Sequence, residues 1–204
     1  DIYNRMLRRH GISQIHALAT DPLPGDPVQG AGILGGDMML AARKRALGSH
    51  PFAADLKSRR AVADLYGFSW LRDLAALSAP GARETAQALI RDWLRHHDRW
   101  DAVTWAPDVT GARILAWLNY IDFVTEGADG SLRGEMAAAT AAQLRHLAGA
   151  NRSGSASAGG DESPFTAGAA LVAALGMAGI AQPKVVFHIG QKLDCEVTML
   201  GKQM

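Results

Sequence analysis

The chain has 204 residues, enough to bury a real core in one large or two small domains, and its 48% hydrophobic and 20% charged content is close to that of an average soluble globular protein. With 21 basic and 20 acidic residues the net charge is +1, which excludes an overall electrostatic pull toward nucleic acid or an acidic polymer. The single cysteine, Cys195, excludes an internal disulfide framework and a cysteine-based zinc site, and no run reaches the roughly 20 apolar residues that span a bilayer.

The opening DIYNRMLRRHGISQIHALA places Ile2, Met6, Ile15 and Leu18 at loosely helical spacing, with Arg5, Arg8 and Arg9 on the remaining surface. It predicts an amphipathic helix with a basic face, interrupted at Gly11. The chain begins at Asp1, which leaves a signal peptide and the choice between periplasm and cytoplasm open. Residues 20–36, TDPLPGDPVQGAGILGG, alternate proline and glycine and predict an extended lead-in loop. GAGILGG is followed by no Lys-Ser or Lys-Thr pair, so it is not a phosphate-cradling loop.

From Arg59 onward the pattern turns helical. Val62, Leu65, Tyr66, Trp70, Leu74 and Leu77 recur every three or four residues until SAPG breaks the run. A second helix carries Ala86, Leu89, Ile90, Trp93 and Leu94 on one stripe and ends at His96 and His97, where positive charge suits the helix dipole. A third starts after Pro107, with Asp108 placed to cap it, and runs through Ile114, Trp117, Leu118, Ile121 and Phe123 to about Glu126. Ser131 opens a fourth, marked by Leu132, Met136, Leu144 and Leu147 and closing near His146, again read as a helix-end histidine. Residues 151–163 form a flexible spacer, Pro164 starts a Gly- and Ala-rich fifth helix, and VVFHI and CEVTML in the tail predict two short strands. The expected fold is all-α, built of antiparallel helical hairpins, with a short C-terminal β-hairpin.

The chemistry-bearing stretch is RWDAVTWAPDVTGARILAWL, residues 99–118, which holds three of the five tryptophans beside Asp101, Asp108 and Arg113. Arg113 and Trp117 stand four apart on one helix and could stack guanidinium on indole. A buried arginine there needs a carboxylate or carbonyl partner, so two readings stay open: a structural ion pair with Asp101, Asp108 or Asp122, or a ligand-facing arginine. No metalloprotease HExxH, GxSxG elbow or paired cysteine and histidine motif is present, and no cofactor or metal is expected.

YGFSWLRDLAAL, ALIRDWLRHHDRWDAVTWAPDVTGARILAWLNYIDFVTEGAD and AAQLRHLAGA together resemble the N-terminal domain of heparinase II/III-like bacterial proteins, most closely from Tyr66 to Gly127. The resemblance implies part of an (α/α) toroid over residues 1–181, with a divergent tail at 182–204. It implies β-elimination on a uronate-containing acidic polysaccharide, with Trp105, Asp108, Arg113 and Trp117 as substrate-binding residues on the inner wall. Asn119-Tyr120 does not replace the Asn-His pair of the lyases, so no catalytic residue carries over. The family's β-sandwich domain lies beyond this chain, which is therefore expected to be inactive alone and to pair with that domain or form a homo-oligomer. The alternative is a non-catalytic helical module that binds a protein through its basic first helix and an exposed helical face.

Overall fold

The computed structural model describes residues 2–8, 17, 21 and 23–152, with side chains to residue 147. Among them stand seven helices: α1 (Ile2–Leu7), α2 (Pro27–Leu34), α3 (Arg59–Tyr66), α4 (Leu71–Ala76), α5 (Ala82–His96), α6 (Pro107–Thr125) and α7 (Ser131–Arg152). Strands β1 (Asp37–Leu40) and β2 (Arg43–Ala46) form one antiparallel hairpin, and a short 3-10 turn covers Pro51–Ala53. The fold is all-α, with this small sheet as its only strand pair among the described residues.

Helix α2 lies inside the stretch predicted to be an extended lead-in. Asp26 accepts a hydrogen bond from the Val28 N–H at 2.8 Å, and Pro27 occupies the first turn, where its missing N–H has no partner to lose. Two glycines of this stretch, Gly25 and Gly30, are packing residues rather than loop residues. A Cβ on Gly30 would lie 2.3 Å from the Asp73 carbonyl oxygen and one on Gly25 2.2 Å from that of Arg72, so both bring the chain flush against α4.

The helix predicted from Arg59 to Leu77 is broken in two. Gly67 closes α3 by donating its N–H to the Ala63 carbonyl at 2.9 Å, and Phe68 turns the chain at φ +59°. Burial explains why the helical spacing survives the break: Phe68 stacks on Phe52 at 5.6 Å, and the Trp70 indole donates to the Leu65 carbonyl at 3.0 Å. Helix α6 follows Ala106 with Pro107 in its first turn and no side-chain cap; Asp108 pairs with Arg59 at 3.0 Å instead of capping. Asp129 accepts from both the N–H and the hydroxyl of Ser131 at the start of α7.

Helix α6 is the centre of the bundle, with α3, α4, α5 and α7 packed on it. Its Val109, Ile114, Trp117, Leu118, Ile121 and Val124 are all buried, so it is enclosed on most sides rather than along one stripe. Met38 and Leu40 turn the hairpin toward the core, where β1 meets α2 and α3, while every residue of β2 is exposed. The backbone of α7 runs to Arg152, two residues into the predicted spacer. The rest of that spacer, the fifth helix, the two C-terminal strands and the 182–204 tail lie outside the described residues.

Candidate functional site

Trp105, Arg113 and Trp117 are brought together, but in the interior. Arg113 is 0% exposed and makes no ion pair among the described residues; its guanidinium donates to Gln143 Oε1 at 2.7 Å, the Tyr66 carbonyl at 2.9 Å, the Thr104 carbonyl at 3.1 Å and Thr110 Oγ1 at 3.3 Å. Neither expected reading is met: the acceptors are a side-chain amide, a hydroxyl and two backbone carbonyls, not Asp101, Asp108 or Asp122, and no face of the guanidinium is left to a ligand. Burial pulls the arginine pKa down to about 9, which leaves it charged at neutral pH. Its aromatic partner is Trp93 on α5, 4.6 Å from the guanidinium carbon, not Trp117 on its own helix. Trp117 meets Trp93 edge to face at 5.1 Å and Phe68 at 5.5 Å. The four predicted substrate residues thus comprise three core anchors and one surface carboxylate, Asp108, paired with Arg59.

Two histidines predicted to be charged helix ends behave otherwise. His146 lies within α7, buried, with Nε2 donating to the Trp105 carbonyl at 3.0 Å and Nδ1 accepting from the Tyr3 hydroxyl at 2.8 Å. That pairing fixes the neutral tautomer, and burial lowers its pKa. His97 caps α5 with its ring against Phe52 and Tyr66, and burial lowers its pKa too. His96 keeps a helix-end place, its Nδ1 3.1 Å from the buried Asp92 carboxylate.

Two depressions among the described residues lie away from the aromatic cluster. One solvent-open depression is lined by Asp122, Glu126, Asp129 and Arg133, another by Arg8, Leu94, His96 and Asp98, and neither includes Trp105, Arg113 or Trp117. Among the described residues no group of three or more His, Cys, Asp or Glu side chains could hold a metal ion, and no helix is long and apolar enough to cross a membrane.

Among the described residues, two exposed places stand out. Ile2, Tyr3 and Met6 of α1 are exposed apolar side chains, and Tyr3 meets Trp100, 41% exposed, edge to face at 5.6 Å. This patch is held down by Tyr3 on His146, by Asn4 Oδ1 accepting from the Trp100 N–H at 2.8 Å, and by Arg145 bonding the Leu7 carbonyl. The second place is β2, whose Arg43, Lys44 and Arg45 form an exposed basic strand. Lys44 pairs with Asp37 at 2.8 Å, whereas Arg43 and Arg45 meet no carboxylate among the described residues. This strand falls outside every element expected from the sequence. Its signal was the apolar run DMML followed two residues later by RKR, without the Asn-Gly or Asp-Gly that marks most tight hairpins.

No protein-family model matches the chain, and no solved structure matches it. FtsZ-localized protein C of Caulobacter vibrioides (strain NA1000 / CB15N) is 38% identical over 109 residues, which cover 52% of this chain and 18% of that protein. The relative is named for its localization with FtsZ. The match overturns the expectation of a polysaccharide lyase and of carbohydrate binding, and with it the acidic polysaccharide as partner.

Proposed function

We propose that this chain is a non-catalytic helical interaction module whose protein partner lies in an FtsZ-associated assembly. The observation that carries the reading is the 38% identity over 109 residues to FtsZ-localized protein C. The chemistry of the interior agrees with it. Arg113 spends its donors on four protein acceptors and Trp93, Trp105 and Trp117 are buried, so the cluster stabilises the bundle and leaves recognition to surface patches. The likeness to the heparinase II/III-like helical domain is, in this reading, one of scaffold without lyase chemistry.

Biolayer interferometry with the immobilised chain and purified FtsZ tests it. A saturable response is expected, and incubation with heparan sulfate or alginate should release no unsaturated product. An FtsZ response no larger than that of an unrelated protein of similar charge contradicts the reading.

A further inference from the structure

We propose that the outer edge of β2 accepts an extended acidic peptide of a protein partner as an added strand, with Arg43 and Arg45 pairing its carboxylates. The inference rests on the protein-docking reading and names the chemistry of the docked segment.

The register fixes which backbone groups are free. Leu40 pairs with Arg43 across the two-residue turn Ala41-Ala42, and Met38 pairs with Arg45. In a tight antiparallel hairpin the pair flanking the turn exchanges hydrogen bonds and the exchange recurs at every second pair. The Leu47 N–H donating to the Gly36 carbonyl at 2.8 Å continues that alternation. Arg43 and Arg45 therefore turn their backbone groups to β1, and Lys44 and Ala46 turn theirs outward. No backbone hydrogen bond from outside the hairpin reaches Lys44 or Ala46 among the described residues, and all four residues of β2 are exposed.

The side chains select the partner. Arg43 and Arg45 project on one face of the strand, roughly 6.5–7 Å apart along it. Other cations are engaged: Lys57 with Asp55, Arg59 with Asp108, Arg60 with Asp64 and Lys44 with Asp37. Arg43 and Arg45 have no such carboxylate among the described residues. A second copy of β2 would bring the same charge and be repelled, which is how basic residues protect an edge from self-pairing. A strand with carboxylates at alternate positions meets the opposite situation, gaining backbone bonds and two charge-assisted pairs.

The edge is also held in place. Ala41 and Ala42 both adopt positive φ, +50° and +58°, a conformation alanine disfavours. Asp64 fixes the turn by accepting the Ala41 N–H at 2.8 Å and is itself held by Arg60 Nε at 2.9 Å. A strained turn kept by its surroundings pre-organises the strand that follows it. An anionic lipid surface would use the charge but not the free backbone edge, so the peptide is the better fit.

Fluorescence anisotropy of a labelled peptide alternating threonine and glutamate tests this on the full chain. In an antiparallel addition with glutamates opposite Arg43 and Arg45, the threonine N–H groups face β2. Saturable binding is expected, weakened at least tenfold when the threonine nitrogens are methylated. It should weaken at least tenfold in the double variant R43E/R45E, whose thermal midpoint stays unchanged because β2 is exposed. Equal binding of both peptides, or no peptide binding while FtsZ still binds the chain, overturns the strand-edge proposal and leaves the docking reading standing. Loss of phosphatidylglycerol-vesicle binding in R43E/R45E, with no peptide binding by the parent chain, assigns the arginines to a membrane surface and overturns it as well. Peptide binding without FtsZ binding supports the edge and sinks the FtsZ assignment.

Discussion

The guanidinium of Arg113 lies over the ring of Trp93, 4.6 Å from its centroid, and so joins α6 to α5 through a contact between helices rather than along one. It also satisfies the Tyr66 carbonyl at the end of α3 and Gln143 on α7. One buried cation thereby ties four helices together.

Replacing Arg113 is therefore expected to damage the whole bundle. Arg113→Ala leaves Gln143 Oε1 and the Tyr66 carbonyl buried without the guanidinium donor, strips the half-buried Thr104 carbonyl of it as well, and should cost about 3 kcal/mol or more. Arg113→Lys keeps the charge but loses the planar fork, and should cost less than the alanine change yet more than about 1 kcal/mol. Urea unfolding gives both numbers as shifts in midpoint at constant slope.

His146 makes stability pH-dependent. Its pKa is held below the ordinary 6.5, first by burial and then by the nearby Arg113 charge, while the hydrogen bond to the Trp105 carbonyl opposes the shift. The unfolded chain then binds the proton first, so stability is full above about pH 6.5 and falls as the pH drops below it, until the lower folded value is reached. His97 adds a contribution of the same sign. The thermal midpoint should be lower at pH 5 than at pH 7.5, and His146→Gln should flatten that slope.

Two glycines should respond to alanine in opposite directions. Gly30→Ala drives a Cβ to 2.3 Å from the Asp73 carbonyl oxygen, a backbone atom that cannot swing away, and should cost about 2 kcal/mol or more. Gly134→Ala on α7 meets nothing within 4 Å and should gain up to about 1 kcal/mol from helix propensity. Denaturation of the two single variants beside the parent chain decides it.

Where the sequence is legible, a single local rule operates. SAPG, Pro107 and Ser131 punctuate α5, α6 and α7 almost where the structure starts them, because the breaker and the burial pattern agree there. Helix α2 is hidden because Gly30 and Gly32 read as loop residues; at Gly30, only the approach of α4 shows that close packing requires the missing side chain. The hairpin is hidden because alanines occupy a turn that normally calls for glycine or asparagine. The aromatic stretch resembles a ligand wall in sequence because α6 is enclosed on most sides, so its spacing defines no inner or outer face. Arg113 found neutral acceptors distant in sequence, on Tyr66 and Gln143, which no pattern within α6 reveals.

Hydrogen–deuterium exchange of the chain with and without purified FtsZ tests the central claim that recognition belongs to the surface and the tryptophan–arginine cluster to the core. The account predicts slow exchange across residues 105–117 in both states, with FtsZ-dependent protection confined to exposed segments such as 43–46. Protection of residues 105–117 by heparan sulfate or alginate, with no footprint from FtsZ anywhere on the chain, would contradict it.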